Sequence, residues 1–202
     1  MKITIYTITY NEELILPYFI RHYRANFPNC RIIVFDNQST DKTVEIAKAH
    51  GCEVITYETG GELSDMKYLE IKNNCWKLPR VVKPAEKETS PYLNEFVAGI
   101  STSAPPAVGE WVFIVDADEL CQITELELLK EHDAGTTMLQ FEGHKMVNLT
   151  DNTNVAGITH AVPAPDYSKR YAFCANKITE INYTPGCHVC APVGEVKLSQ
   201  NV

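Results

Sequence analysis

The sequence has no long hydrophobic run, no excess of basic residues and no repeated segment. Its apolar stretches are all shorter than about 20 residues, the length that a membrane-spanning helix needs, so we expect no membrane span. Lysine and arginine together number 18, against 26 aspartate and glutamate residues. The resulting net charge of −8 argues against a nucleic-acid or anionic-membrane partner. A nucleotide ligand is still possible, because a divalent cation can mediate phosphate binding.

We also expect neither a disulfide framework nor a signal peptide. The cysteines number seven, an odd count, and most of them lie in apolar segments. This usage is typical of a reducing compartment, where cysteine serves as a small apolar residue. Residues 1–8 alternate between apolar and polar side chains, as a strand does, and do not resemble the apolar centre of a signal peptide. We therefore expect a cytoplasmic protein.

The first 120 residues contain a regular alternation of strand-like and helix-like segments. The strand-like segments are 3–9, 31–35, 53–57 and 111–115. Residues 111–115 are all apolar, which is typical of a strand buried on both faces of a parallel sheet. Strands that alternate with helices predict a parallel sheet with right-handed crossover connections.

The second half of the sequence is richer in strands. A short helix is predicted at 92–101 inside the proline-bearing segment 78–110, and a long strand at 136–147. Residues 148–168 are polar and are predicted to form a loop over the site. The fold class is therefore α/β: one Rossmann-like domain over 1–202, with a mainly parallel central sheet flanked by helices and a strand-rich C-terminal half.

Polar and acidic side chains follow three of the predicted parallel strands. The three segments are Thr9-Tyr10-Asn11-Glu12, Asp36-Asn37-Gln38-Ser39-Thr40-Asp41 and Asp116-Ala117-Asp118-Glu119. Ligands of open α/β folds bind at the carboxyl ends of the strands, so these segments should meet at one edge. Asp116 and Asp118 supply hard oxygen ligands, which suit Mg²⁺ or Mn²⁺ carrying a phosphate.

The combination of these motifs resembles the family 2 glycosyltransferases, which have the GT-A fold. The resemblance is to a short subgroup in which Lys72-Asn73-Asn74-Cys75-Trp76-Lys77 precedes the Asp-x-Asp strand and Gly186-Cys187-His188 follows it. It covers most of residues 1–77 and 110–200. It implies a single GT-A domain, with a nucleotide-sugar-binding half at 1–120 and an acceptor-side half at 121–202.

The resemblance also implies ligands and site residues. The expected donor is a nucleotide-diphospho-sugar, foremost a UDP-sugar, and the expected acceptor is a glycan or another hydroxyl compound. The residues that the resemblance assigns to the donor are Thr9, Tyr10, Asn11, Glu12, Asp36, Asn37, Lys72 and Asp116. The expected cofactor is Mn²⁺ or Mg²⁺, with Asp118 as its main ligand and Asp116 and His188 as further ligands.

Family 2 enzymes generally invert the anomeric centre, which needs a carboxylate base for the acceptor hydroxyl. Glu142 and Asp166 are the candidates, and Glu142 is preferred as the catalytic residue. Lys169 and Arg170 have two interpretations: a clamp for the diphosphate, or an ordinary pair of solvated charges.

Other functions are compatible with parts of the sequence. Residues 113–118 also resemble the nucleophile strand of haloacid-dehalogenase-type phosphatases, although Leu120 departs from that pattern. The segment Cys187-His188-Val189-Cys190 has zinc-ligand residue types, but a structural zinc site normally needs a second pair. A non-catalytic nucleotide-binding domain of the same fold is a further alternative. A last alternative is that the chain is one domain of a larger protein.

Overall fold

The computed structural model describes residues 1–60, 64–77, 110–148, 155–158 and 160–200. The strands in this part of the chain are β1 (Lys2–Thr9), β2 (Arg31–Asp36), β3 (Glu53–Thr56), β4 (Glu110–Ile114), β5 (Met138–Phe141), β6 (His144–Val147), β7 (His160–Pro163), β8 (Lys169–Cys174), β9 (Ile178–Glu180) and β10 (Val193–Gly194). The α-helices are α1 (Leu16–Asn26), α2 (Thr43–Ala49), α3 (Asp65–Asn74) and α4 (Glu125–Asp133). Short 3₁₀ turns occupy Cys75–Lys77, Val155–Gly157 and Pro165–Tyr167. The predicted helix at 92–101 lies outside the described residues.

Six strands form the central sheet, in the order β3-β2-β1-β4-β8-β5. The first four are parallel to one another, and β8 runs antiparallel to both of its neighbours. Two smaller two-stranded sheets, β6–β7 and β9–β10, lie outside it. The predicted α/β fold with a mainly parallel central sheet is therefore confirmed, and β8 is the strand that departs from the parallel pattern.

The central sheet is buried on both faces because its strands carry apolar residues on both sides. In β1, Ile3 and Ile5 belong to one core cluster, whereas Tyr6 and Ile8 belong to the other. The first cluster packs against α1, whose buried residues recur with helical spacing: Leu16, Phe19, Ile20 and Tyr23. The second cluster packs against α3 and the segment that follows β9. This two-sided packing fixes the register of the strands, because a shift of one residue would reverse every side chain.

The predicted long strand at 136–147 is wrong, since two separate strands occupy this segment. Residues of β5 pair with β8 in the central sheet, whereas β6 pairs with β7 outside it. The predicted loop at 148–168 is correspondingly wrong at His160–Pro163, which forms β7. Backbone hydrogen bonding to β7 redirects the chain after Phe141, and an alternating sequence cannot reveal which partner a strand finds.

Gly143 stands at the point where β5 gives way to β6. Its amide donates to Ser168 Oγ at 3.0 Å, and its carbonyl accepts from the Ala164 amide at 2.8 Å. A Cβ atom at this position would lie 2.5 Å from the Tyr167 carbonyl carbon and 2.6 Å from the Ser168 amide nitrogen. Only glycine therefore allows the backbone around residues 164–168 to approach the end of β5 this closely.

All seven cysteines are free thiols in the structure. In the described part of the chain, no helix has both the length and the apolar character needed to cross a bilayer.

We predict that Gly143→Ala separates these two backbone segments. The added methyl group should cost about 1–3 kcal/mol in the free energy of unfolding, as overpacking typically does. Hydrogen exchange of peptides that cover residues 160–168 should accelerate, because the Ala164 and Ser168 hydrogen bonds to Gly143 are lost.

Gly60→Ala is the control, since a Cβ atom at Gly60 would meet nothing within 4 Å although its φ is +70°. That variant should lose some stability through backbone strain alone and leave exchange at 160–168 unchanged. Unaltered exchange in Gly143→Ala would show that the close approach is not needed.

Candidate functional site

The strand order places a topological switch point between β1 and β4. The chain proceeds from β1 to β2 and β3 on one side, and then returns to form β4 on the other side of β1. At such a point the connections after the two central strands lead to opposite sides of the sheet, which leaves a crevice beyond the carboxyl ends of these strands. Open α/β sheets bind their ligands in this crevice. The segments after β1 and β4, residues 10–12 and 116–118, flank this crevice.

The loops after β1 and β2 are interlocked through Asn11. Its side-chain oxygen accepts from the Thr40 amide at 2.8 Å and from the Asp41 amide at 3.3 Å. Its own amide donates to Ser39 Oγ at 2.9 Å. Asn11 has a φ of 56°, and Gln38 in the facing loop has a φ of 54°, so both loops turn through the left-handed region. The Asn11 side chain thus holds the second loop in place.

A second set of hydrogen bonds joins the same loops at the start of the helices. The Glu12 amide donates to Thr43 Oγ1 at 2.7 Å, and the Glu13 amide donates to Asp41 Oδ2 at 3.0 Å. The Lys42 amide in turn donates to Glu13 Oε2 at 3.0 Å. Since these bonds cross between the loops in both directions, residues 10–13 and 38–43 form one rigid edge.

Asp36 lies under this edge and is only 1% exposed. Its carboxylate accepts from Thr9 Oγ1 at 3.4 Å and from the Ser39 amide at 3.0 Å. The neighbouring Asn37 exchanges side-chain hydrogen bonds with Thr59 at 3.0 and 3.2 Å. Tyr10, by contrast, is 51% exposed and presents an aromatic ring at the crevice.

Asp116 follows β4 and lies between two buried lysines. Lys72 on α3 reaches one carboxylate oxygen at 2.5 Å, and Lys169 on β8 lies 3.8 Å from the other. Burial acts to lower the pKa of Lys72, but the charge of Asp116 and its hydrogen bond, together with Cys187 and Glu119, outweigh burial and the pKa is raised. The Asp116 carboxylate thus has one lysine side chain on each of its two oxygens.

Glu119 completes this arrangement from the same turn. Its carboxylate accepts from Lys169 Nζ at 2.6 Å and from the Asp116 amide at 3.1 Å. The Glu119 carbonyl accepts from the Tyr23 hydroxyl at 3.1 Å, which ties the turn to α1. The turn after β4 is thus attached to α1, α3 and β8 at once.

The remaining acidic groups face one another across the crevice. The pKa of Glu12 is raised, first by burial and then by the negative charges of Asp118, Asp41 and Asp116. Asp118 is exposed. Mutual repulsion of this kind is relieved when a cation binds between the carboxylates.

Glu142 lies on the crevice side of the sheet. It follows Phe141 at the carboxyl end of β5, and Phe141 is the register partner of Lys169, which contacts Asp116. Its side chain is exposed, as is that of Asp166 in the 3₁₀ turn that packs against Gly143. The structure therefore brings both base candidates to the same side of the sheet as Asp116.

His188 is exposed, and its ring lies 6.1 Å from the ring of Tyr167. The described residues contain no group of three or more His, Cys, Asp or Glu side chains arranged to hold a metal ion. The zinc interpretation of residues 187–190 has no support in this part of the chain for the same reason.

The sequence interpretation missed the roles of Lys169, Glu119 and Tyr23. Lys169 is only 5% exposed, so its interpretation as a solvated charge is wrong. The neighbouring Arg170 is half-buried and donates from Nε to the Gln140 side-chain oxygen at 2.8 Å. A Lys-Arg pair inside an otherwise apolar strand was the available signal, because a lysine there must find a buried partner.

Comparison with known proteins gives one family match. Residues 4–64 match the model described as Glycosyl transferase family 2. This segment contains most of β1, all of β2 and β3 and both interlocked loops, whereas β4 and the Asp116–Glu119 turn lie beyond it. A comparison with curated proteins gives no match.

Several solved structures resemble the chain at low sequence identity. S. aureus TarS is 15% identical, with 75% of this chain and 23% of that one covered and a TM-score of 0.44. The mannosyltransferase PcManGT from Pyrobaculum calidifontis, solved with GDP-Man and Mn²⁺, is 16% identical, with 68% of this chain and 34% of that one covered and a TM-score of 0.41. Glucosyl-3-phosphoglycerate synthase from Mycobacterium tuberculosis, solved with Mn²⁺ and UDP, is 17% identical, with 69% of this chain and 43% of that one covered and a TM-score of 0.34. The chain spans less than half the length of each of these structures.

Proposed function

We propose that this chain carries the catalytic domain of a glycosyltransferase of the GT-A fold. It would move a sugar from a nucleotide-diphospho-sugar, foremost a UDP-sugar, to a glycan or another hydroxyl acceptor. The observation that carries the proposal is the pair of acidic loops after β1 and β4, which flank the switch-point crevice of a parallel sheet. The match of residues 4–64 to Glycosyl transferase family 2 supports this chemistry for the loop after β1.

The donor would bind against the rigid edge formed by the first two loops. We propose that the exposed ring of Tyr10 faces the base, with Asn11, Asp36 and Asn37 around the nucleoside. Thr9 and Glu12 complete this set at the same strand end. Asp116 would approach the ribose, and Lys72, which holds Asp116, would lie near the base or the phosphates.

The described carboxylates fit a divalent cation that is held partly by the substrate. Mg²⁺ is commonly bound by one or two carboxylates together with substrate phosphates and needs no complete protein cage. Asp118 is exposed, and its charge adds to the effect of burial in raising the pKa of Glu12, so this position favours a cation. We propose Asp118 as the main ligand of Mn²⁺ or Mg²⁺, with Asp116 and His188 as further ligands. Once bound, the ion would stabilise the charge of the leaving diphosphate.

We propose that the reaction inverts the anomeric centre and that Glu142 is the general base. Its position at the carboxyl end of β5 puts an exposed carboxylate on the crevice side of the sheet, as this role requires. Asp166 is the second candidate. The phosphatase alternative is not favoured, because the matching family model covers the first two loops, which a phosphatase nucleophile strand does not explain.

We predict that the chain binds a nucleoside diphosphate in the presence of a divalent metal. Calorimetric titration with UDP, GDP and CMP, each with and without Mn²⁺, should give the tightest binding for UDP with Mn²⁺. If no nucleoside diphosphate binds when Mn²⁺ is present, the donor site is wrongly assigned. Release of phosphate from a generic phosphomonoester would instead favour the phosphatase alternative.

Asp118→Asn should weaken Mn²⁺-dependent UDP binding by about tenfold or more, a loss of about 1.4 kcal/mol. The substitution removes one negative charge and preserves the shape of an exposed side chain. Asp133→Asn is the matched control. Its neighbour His132 contacts Trp111 near the start of β4, which places Asp133 at the opposite edge of the sheet. Equal UDP affinity of Asp118→Asn and the wild-type chain would remove Asp118 from the metal site.

Glu142→Gln should lower turnover by about 10²–10⁴-fold, the usual contribution of a general base. UDP affinity should stay unchanged, because the residue lies on the acceptor side. The measurement is UDP release from the UDP-sugar in the presence of an acceptor panel. Glu45→Gln, on the exposed surface of α2, is the control. A fully active Glu142→Gln enzyme would transfer the role to Asp166, which Asp166→Asn tests in the same assay.

A further inference from the structure

We infer that Lys169, held by Glu119, is a positioning residue that sets the orientation of the Asp116 carboxylate in the donor site. The inference rests on the proposed function, because it assigns Asp116 to that site. Neither Lys169 nor Glu119 would contact the donor in this role.

The strand pairing brings Lys169 to Asp116. Strands β4 and β8 are antiparallel, with Phe113 opposite Ala172. If this register is continued by three residues along each of the two strands, Asp116 falls opposite Lys169, just beyond the last residue of β4. The distance of 3.8 Å between Lys169 Nζ and Asp116 Oδ2 agrees with that placement. The contact is therefore a consequence of how the sheet is built.

The two oxygens of Asp116 face two different lysines. Lys72 Nζ lies 2.5 Å from Oδ1, and Lys169 Nζ lies 3.8 Å from Oδ2. Lys72 and Lys169 are 8% and 5% exposed, so neither side chain is free to swing into solvent. An ammonium group on each side restricts rotation of the carboxylate about its bond to Cβ.

Glu119 connects the backbone and the side chain of Asp116 through a single carboxylate. One of its oxygens accepts from Lys169 Nζ at 2.6 Å, and the other accepts from the Asp116 amide at 3.1 Å. The Glu119 amide donates back to the Asp116 carbonyl at 3.0 Å. Glu119 therefore fixes both the turn that carries Asp116 and the lysine that faces its carboxylate.

The charges of this group balance, with two ammonium groups against two carboxylates. Asp118, two residues after Asp116 in the same turn, is exposed and has no lysine partner among the ion pairs of the described residues. Because Coulomb attraction at such distances is large in a partly buried site, Asp116 is already neutralised by protein charges. Lys169 and Glu119 thus keep the Asp116 carboxylate oriented in the donor site and leave Asp118 as the carboxylate that is most available to a cation.

The double variant Lys169→Met/Glu119→Gln tests this role. Removing both charges avoids an unpaired buried charge, which would destabilise the fold by itself. We expect the melting temperature to stay close to that of the wild-type chain, and the UDP affinity in Mn²⁺ to fall by about tenfold. The control is Lys177→Met/Glu195→Gln, which removes a surface ion pair of 2.8 Å and should change neither quantity.

If the double variant does not fold, the single variant Glu119→Gln tests the positioning role in its place. It preserves the shape of Glu119 and its contact with the Asp116 amide, but leaves Lys169 without its nearer carboxylate. Lys169 should then move towards Asp116, and Mn²⁺ should enhance UDP affinity less than it does in the wild-type chain.

The outcomes separate this inference from the proposed function. A wild-type chain that binds no nucleoside diphosphate with Mn²⁺ overturns both. A wild-type chain that binds UDP, together with variants of unchanged affinity, overturns the positioning role alone. Reduced stability with unchanged UDP affinity means that the group is only structural, and it overturns the inference as well.

Discussion

The position of β1 between β2 and β4 is the constraint on which the site depends. Thr9 is the register partner of Asp36, and Tyr6 is the partner of Ile114. These pairings bring the ends of three strands to one edge, where the loops can exchange hydrogen bonds. Because the two faces of β1 pack in different core clusters, a one-residue slip would exchange their side chains and disrupt the packing of both clusters. The geometry of the acidic loops is therefore maintained by the hydrophobic packing beneath them.

The acidic side chains at the carboxyl edge of the sheet lie in two environments, one with lysine partners and one without. Asp116 and Glu119 are balanced by Lys72 and Lys169, which come from α3 on one side and from β8 on the other. Glu12 has no such lysine partner within the described part of the chain, and burial together with nearby carboxylates raises its pKa. Below that raised pKa the Glu12 carboxyl takes up a proton in the folded state and the repulsion falls. A cation would achieve the same relief at higher pH.

The sequence alone predicts those parts of the site that depend on local patterns. The apolar run before Asp116 indicates a buried strand, and the alternation of strands and helices indicates that its end meets the ends of β1 and β2. Lys169 could not be placed in this way, since β8 inserts between β4 and β5 against the direction of the other strands. The break at Gly143 was hidden for a similar reason. It depends on a contact with residues 164–168, and no local property of residues 136–147 specifies that contact.

Asn11 illustrates how the fold limits the roles open to a site residue. An oxygen that already accepts from the Thr40 and Asp41 amides has less capacity left for a ligand. Its left-handed φ would suit glycine equally well, but glycine lacks the oxygen that joins the two loops. The residue therefore acts on any ligand at this edge mainly by joining the loop that carries Tyr10 to the loop after β2. Recognition of a base would then depend on the exposed Tyr10 ring and on backbone groups, while selectivity for the sugar must come from elsewhere in the crevice.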